Sequence, residues 1–141
     1  MKSTLTLIAT ALLLSACGST HSPVAAKGSW TSVGKIQNGE IEVAYDTGSI
    51  VRQSQIVRLT DRKVVLDPQK TRFTQTPPYK AAITDWEFDC SKRTNRPRNT
   101  RFYDKNGTLL AQHGYTRSQV ASQTITPNTP SFALFNIACE K

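Results

Sequence analysis

The architecture of this chain depends on two stretches, AITDWEFDC at residues 82–90 and TPSFALFNIAC at residues 129–139. In the first stretch apolar and acidic residues alternate, which is the period of a β-strand with one buried face. Trp86, Phe88 and Cys90 therefore lie on one face of a predicted strand, and the acidic residues lie on the other. Cys90 is expected to face the core.

The second stretch has the period of a helix. Thr129 is a suitable N-cap, and Pro130 suits the first helical position because the N–H that it lacks would be unpaired there anyway. Phe132, Phe135 and Cys139 follow at i, i+3 and i+7, so they share one face of about two and a half helical turns. We expect this apolar face to pack on the predicted sheet.

Cys90 and Cys139 are the two cysteines available to the folded part of the chain, because the third, Cys17, belongs to an N-terminal signal. In an oxidising compartment such a pair most simply forms a disulfide, which would fasten the C-terminal helix to a central strand. A reactive thiol or a zinc site is the alternative. The only histidines are His21 and His113, and there is no Cys-x-x-Cys, so we predict no metal and no other cofactor.

The rest of the domain consists of short β-like segments separated by turn signals such as Asn38-Gly39 and Asp46-Thr47-Gly48. Short strands at hairpin spacing favour antiparallel pairing. The predicted fold class is α+β and mostly β, with an antiparallel sheet of about six strands and a C-terminal helix that packs on it and is tied by the disulfide. The predicted strands cover residues 30–36, 40–45, 49–59, 63–66, 79–90, 100–103, 109–115 and 122–126.

The N-terminus has the pattern of a lipoprotein signal peptide over residues 1–16. A single Lys precedes an apolar run at residues 5–14, which is too short for the roughly 20 helical residues that cross a bilayer. Leu14-Ser15-Ala16-Cys17 has the form of a bacterial lipobox, whose cysteine accepts diacylglycerol and becomes the new N-terminus. A plain export signal followed by an unrelated cysteine is the alternative.

Lipidation at Cys17 would anchor the protein in a membrane firmly, since several acyl chains hold far better than one. Residues 17–28 are small and polar and predict the lipidated cysteine with a flexible tether, and residues 29–141 form the predicted domain. Gly18 and Ser19 follow the cysteine where an inner-membrane lipoprotein carries an aspartate. We therefore predict delivery to the bacterial outer membrane, at the cell surface.

The chain is basic, with 18 Lys and Arg against 10 Asp and Glu and a formal charge of +8. Residues 1–16 contain one Lys and no acid, so nearly all of the excess belongs to the folded domain. Nucleic acid is not accessible outside the cytoplasm and is excluded as a partner. The expected partners are acidic glycans, lipid head groups and acidic patches on other proteins.

The positive charge is densest directly after Cys90. Five basic residues fall within ten positions there and form a predicted loop that is a candidate ligand-binding site: Lys92, Arg93, Arg96, Arg98 and Arg101. Arginine in particular forms bidentate pairs with sulfate, phosphate and carboxylate groups. The alternative is a solvated loop whose charge is balanced by the acidic residues of the preceding strand.

The sequence predicts no enzyme. Asp46-Thr47-Gly48-Ser49 matches the short active-site string of aspartic proteases, but that chemistry needs a second carboxylate that shares a proton. A tight turn between strands explains the same residues. No Gly-x-Ser-x-Gly motif, phosphate-binding loop or helical carboxylate pair is present, and we therefore assign no catalytic residue.

The order of several short motifs around the two cysteines resembles the surface-adhesin protein E family of bacterial outer-membrane lipoproteins. The resemblance covers roughly residues 30–141 and rests, besides the lipobox, on Tyr45, Ser49-Ile50, Ile56-Val57, Cys90, Phe102-Tyr103-Asp104, Thr126-Pro127-Asn128-Thr129 and Cys139. It implies an antiparallel sheet with a C-terminal helix fixed across it by the disulfide. It also implies adhesion to host extracellular-matrix or serum proteins of the laminin, vitronectin and plasminogen type.

The sequence is also compatible with two other functions. One is a periplasmic lipoprotein that inhibits a host hydrolase such as lysozyme, although the positive charge of the domain would repel that basic enzyme. The other is an envelope assembly component. A free sheet edge also offers a route to a homodimer.

Overall fold

The computed structural model describes residues 27–140. The predicted signal peptide, Cys17 and the tether up to residue 26 therefore lie outside the described residues. Within residues 27–140, no helix has the length and apolar character needed to span a membrane.

The described residues form eight strands and one α-helix. The strands are β1 (Trp30–Ile36), β2 (Ile41–Asp46), β3 (Val51–Gln53), β4 (Ile56–Val65), β5 (Ala81–Asp89), β6 (Thr94–Tyr103), β7 (Leu109–Gly114) and β8 (Gln123–Thr124), and the helix is α1 (Pro130–Cys139). A short 3-10 turn at Thr47–Ser49 joins β2 to β3.

The strands make one curled antiparallel sheet in the order β1-β2-β4-β5-β6-β7. Strand β4 is long enough to pair with β2 along its second half and with β3 along its first half. The short strand β8 pairs with the beginning of β6. This architecture confirms the predicted antiparallel sheet with one C-terminal helix.

Helix α1 packs on one face of the sheet and begins where the sequence predicts. The Thr129 hydroxyl accepts a hydrogen bond from the Phe132 amide at 3.1 Å, and Pro130 is the first helical residue. The helix buries Leu134, Phe135 and Ala138 in a cluster with three sheet residues, which are Val57, Leu59 and Phe88. Each large apolar side chain buried here contributes roughly 1.5–3 kcal/mol.

The disulfide between Cys90 and Cys139 is present. It joins the end of β5 to the end of α1, with the two Cα atoms 5.6 Å apart. Both cysteines are half-buried and pack against the cluster under the helix. The predicted pairing and the predicted place of the helix are therefore confirmed together.

A second cluster covers the other end of the same sheet face. The Tyr79 ring lies 5.2 Å from both Phe73 and Phe102, and it packs with Ile41 and Val65. Tyr79 is only 9% exposed, so it belongs to the core.

Two parts of the predicted strand pattern were wrong. Residues 60–62 were left out of the strands, yet β4 runs through them because they pair with β5, and from Asp61 onward with β2 as well. The polar Asp61 is buried and accepts a 2.6 Å hydrogen bond from Lys63. The start of β4 also differs, because a turn at Ser54 and Gln55 divides the predicted strand 49–59.

The predicted basic loop was also wrong. Strand β6 begins at Thr94, so that Arg96 and Arg101 lie within the sheet beside Glu87 and Ile83 of β5. A register shift between Asp85 and Trp86 of β5 accommodates the opposite segment, which contains Pro97. Pairing with the acidic residues of β5 stabilises a charged strand that the apolar pattern alone does not indicate.

Candidate ligand-binding surface

The sheet face opposite α1 is polar and strongly charged. Successive side chains of a strand point to opposite faces, so the neighbours of Val57, Leu59 and Phe88 point away from the helix. We call this second face the open face, and its central residues are Arg58, Thr60 and Arg62 of β4, Ile83, Asp85 and Glu87 of β5, and Arg96, Asn99 and Arg101 of β6. Among residues 27–140 the helix covers only the other face.

Glu87 is the centre of the charged end of the open face. Arg96 donates to Glu87 Oε1 from Nε at 2.9 Å, and Arg96 Nη2 lies 2.9 Å from the same oxygen. Arg117, from the connection between β7 and β8, donates to Oε1 from Nη2 at 3.0 Å, and Arg58 Nε lies 3.6 Å from Oε2. We refer to these four residues as the Glu87 cluster.

The members of the Glu87 cluster differ strongly in exposure. The side chains of Glu87 and Arg96 are only 7% and 9% exposed, whereas that of Arg117 is 73% exposed. Burial alone would raise the pKa of Glu87, but hydrogen bonds and charge from Arg96 and Arg117 outweigh it and hold the pKa below its usual value. The carboxylate is therefore ionised at neutral pH and holds three guanidinium groups together.

A cavity of about 230 Å³ lies beside the Glu87 cluster. Its charged lining comes from Glu87, Asp89, Lys92, Arg96 and Arg117. Its other walls are formed by apolar and hydroxyl side chains, which are Ile56, Val120, Thr94 and Ser122. We call this space the Glu87 cavity.

The next row of the open face carries a second, more nearly balanced ion pair. Arg101 Nη2 lies 3.0 Å from Asp85 Oδ2 and 3.2 Å from Asp85 Oδ1. The Thr60 hydroxyl donates to Asp85 Oδ1 at 2.9 Å. Asp85 thus neutralises Arg101 through a single guanidinium nitrogen that both carboxylate oxygens approach.

The far end of the open face is aromatic. Trp30 packs against Ala81, Ile83 and Tyr103, and the Arg62 guanidinium lies 4.5 Å from the centre of the Trp30 ring. The described start of the chain therefore crosses this end of the sheet, whereas Arg117, Val120 and Ser122 of the β7–β8 connection lie at the Glu87 end.

The structure separates the five residues of the predicted basic site. Arg96 and Arg101 are paired with acidic residues of β5, and Arg93 lies on the helix side, 5.3 Å from the Phe135 ring centre. Lys92 is 77% exposed at the Glu87 cavity, and Arg98 is exposed at the sheet irregularity. The five side chains therefore do not form one continuous patch.

Arg58 and Arg117 complete the Glu87 cluster and were missed by sequence reasoning. Arg58 lies opposite Glu87 in the β4–β5 pairing, so a correct strand register would have placed the two together. Arg117 reaches Glu87 from 30 residues away, and no local sequence pattern indicates that contact.

Asp46 has a structural role. Its Oδ1 accepts hydrogen bonds from the amides of Gly48 at 3.0 Å and Ser29 at 3.1 Å, and the Ser49 hydroxyl donates to the Asp46 carbonyl oxygen at 2.7 Å. The Asp-Thr-Gly-Ser string thus forms the turn between β2 and β3. Residues 27–140 also contain no group of three or more His, Cys, Asp or Glu side chains placed to hold a metal ion.

Comparison with known proteins gives one family and a set of related structures. The family model described as "Surface-adhesin protein E" matches residues 30–140. Crystal form II of Haemophilus influenzae protein E covers 77% of this chain and 86% of its own, at 17% identity and a TM-score of 0.51. Another Haemophilus influenzae protein E structure covers 84% and 89%, at 18% identity and a TM-score of 0.49. No curated protein matches the chain.

Proposed function

Because the chain belongs to the surface-adhesin protein E family, we propose that it is a lipid-anchored adhesin of the bacterial outer membrane that binds host proteins without catalysing a reaction. Family membership supports the adhesin role and the surface location. Our proposal adds three points to family membership: the lipid anchor, the identity of the ligands and the binding surface.

The observation that carries the proposal is the open face. The helix and its disulfide occupy the opposite side of the sheet. The Glu87 end of the open face carries the exposed cations Lys92 and Arg117 together with the partly exposed Arg58. A basic surface of this kind attracts acidic segments of other proteins at long range and orients them on approach.

Laminin, vitronectin and plasminogen are the ligand type that we propose, and an acidic glycan of the host is the competing one. Both would be attracted by the positive charge, which is +8 for the full sequence and +7 after removal of residues 1–16 with their single Lys. The exposed Arg98 would add to attraction of either ligand without forming part of the Glu87 cavity.

The proposed anchor is Cys17. Ten residues separate the proposed anchor from Lys27, whose carbonyl oxygen accepts a hydrogen bond from Trp30 Nε1, and ten residues reach at most about 34 Å at roughly 3.4 Å per residue. Cys17→Ser should move the protein from the membrane fraction to the soluble fraction, whereas Ser19→Ala should leave it in the membrane. Retention of the Cys17→Ser protein in the membrane fraction would refute the lipid anchor.

Surface display and binding are tested together on intact cells. Antibody labelling and protease shaving should detect the chain without permeabilising the outer membrane, and cells that display it should bind immobilised laminin or vitronectin. Detection only after permeabilisation would refute the surface location and favour a periplasmic role.

The charge dependence of binding is tested with matched variants. Lys92→Gln/Arg117→Gln removes two cations at the Glu87 end, and Lys70→Gln/Lys105→Gln removes two exposed cations elsewhere. We expect the first pair of substitutions to weaken binding and the second to change it little. Wild-type binding should also weaken as salt rises, because the Debye length shortens from about 8 Å at physiological ionic strength. Equal binding by the wild type and both double variants would refute the open face as the binding surface.

A homodimer through a sheet edge is a further proposal. Strand β7 is one edge of the sheet, and its Leu109 and Leu110 side chains are 48% and 43% exposed. Exposed apolar residues on an edge strand favour pairing with a second copy.

A further inference from the structure

The Glu87 cluster holds more positive charge than its single carboxylate neutralises. Arg58, Arg96 and Arg117 all lie within 3.6 Å of a Glu87 oxygen. Three like charges gathered around one opposite charge repel one another, and the repulsion is strongest where burial lowers the local dielectric constant. A second anion at this place would relieve that repulsion.

The cluster also has more hydrogen-bond donors than it uses. Arg58 Nε and Arg96 Nη1 are buried and have no hydrogen-bond partner among the described residues. A buried donor without a partner costs free energy, so native proteins rarely leave one unpaired. Arg58 Nε lies 3.6 Å from Glu87 Oε2, whereas Arg96 lines the Glu87 cavity, so its Nη1 is the donor that an acceptor in the cavity would complete.

The Glu87 cavity has room for such an acceptor, and cations stand around it. Arg96 forms part of its wall, and the exposed side chains of Lys92 and Arg117 also line it. Asp89 lies in the same wall, with Oδ2 3.9 Å from Lys92 Nζ, so the lining has three cations and two carboxylates. Ile56 and Val120 provide apolar wall next to these charges. The combination of a cationic wall with an apolar wall suits a carboxylate on a short aliphatic stem.

We propose that the Glu87 cavity receives one glutamate or aspartate side chain from an acidic segment of the partner protein. The carboxylate would accept hydrogen bonds from Arg96 Nη1 and Arg117, and its methylene stem would contact Ile56 and Val120. This inference rests on the proposed function, because it assigns the point at which the adhesin holds a protein ligand.

The arrangement of charges favours a peptide over a sulfated glycan. A sulfated chain carries many anions and needs a continuous track of available cations. Next to the Glu87 cluster, Arg101 is already held by both oxygens of Asp85. Arg93 lies on the helix side of the sheet. A single cavity with its own cations matches a single side chain.

The test measures binding of a short fluorescent peptide of glutamate and glycine to the full chain by anisotropy. The matched peptide with glutamine in place of glutamate and a heparin oligosaccharide are the comparison probes. We expect the glutamate peptide to bind and the glutamine peptide to bind at least tenfold more weakly, as loss of a charge-assisted hydrogen bond predicts.

Two substitutions locate the site. Arg117→Gln should weaken binding of the glutamate peptide about tenfold, because it removes the most exposed guanidinium of the cavity. Lys105→Gln removes the same charge from the turn between β6 and β7, and it should change the affinity less than twofold. Arg117 is exposed, so its replacement should leave the fold intact, which a thermal melt of each variant verifies.

The outcomes separate this inference from the adhesin proposal. Equal weakening by both substitutions, or binding of the heparin oligosaccharide without the glutamate peptide, would overturn the side-chain site. If immobilised laminin or vitronectin captures wild type and Arg117→Gln equally well, adhesion stands and the site does not. If the peptide binds as expected but no host protein is captured, the site stands and the adhesin proposal fails.

Discussion

Removal of the disulfide should destabilise the domain severely while leaving the helix in place. The perturbation is the double substitution Cys90→Ala/Cys139→Ala. The two cysteines are separated by 49 residues, and closure of a loop of that length stabilises the fold by about 4 kcal/mol in the chain-entropy model. A domain of this size has about 5–15 kcal/mol in total, so the variant would lose a large part of its stability.

The measurement is urea unfolding of the oxidised wild type and the cysteine-free variant. With a slope of about 1–3 kcal/mol per molar urea, a loss of about 4 kcal/mol lowers the unfolding midpoint by roughly 1.3–4 M. The slope should rise slightly, because the unfolded variant is free to expand. A loss below about 1 kcal/mol would refute the assignment of the disulfide as a main stabilising feature.

A third substitution shows in which state the crosslink acts. Leu134 is 3% exposed in the cluster under α1, so Leu134→Ala should cost about 2–5 kcal/mol. If the disulfide acts mainly on the unfolded chain, this cost is nearly the same with and without the cysteines. A cost near zero in the cysteine-free variant would mean that the helix has left the sheet, which contradicts docking by apolar contacts.

Two further predictions concern single side chains. Glu87→Gln should lower the free energy of unfolding by about 2 kcal/mol at neutral pH. The pKa of Glu87 is lowered in the folded state, so ionisation of this carboxyl stabilises the fold above its ordinary pKa of about 4.5. That contribution is lost as the pH falls through the lower folded-state pKa, so urea titrations at several pH values should show the variant and the wild type converging below about pH 4.5; a constant difference down to pH 2 would contradict this account. Thr129→Ala should lower the free energy of unfolding by about 1 kcal/mol, because it removes the hydroxyl that accepts a hydrogen bond from the Phe132 amide. Thr129→Ser keeps a hydroxyl and should retain most of the stability in the same urea assay. Equal losses in the two variants would argue against the cap.

The parts of the fold predicted correctly have a pattern that is local in sequence. Helix α1 begins at Pro130 after a Thr cap, and β1 covers the predicted residues 30–36, because capping and alternation are set by neighbouring residues. The disulfide followed from the presence of two cysteines on predicted apolar faces. These features depend little on how the strands are ordered.

The parts that were missed depend on contacts between strands. Strand β6 was predicted to begin at residue 100 rather than at Thr94, with Arg96 in a loop, because a charged strand has no apolar alternation. Only the β5 neighbours of Arg96 show why it belongs to the strand. Glu87 was assigned to a polar face, yet it is 6% exposed because three arginines surround it. Such contacts appear only when the register of β4, β5 and β6 is known, and Arg117 adds a contact from outside the sheet.

The bond between Cys90 and Cys139 also determines what happens when the backbone is cut. The connection between β7 and β8, which spans residues 115–122 and is mostly exposed, lies inside the covalent ring that the bond closes. A protease that hydrolyses one peptide bond there releases no fragment, since both new ends stay linked through sulfur. The segment between β4 and β5, residues 66–80, lies outside the ring. A single cleavage in that segment would leave β1 to β4 attached to the remainder by hydrogen bonds and packing alone.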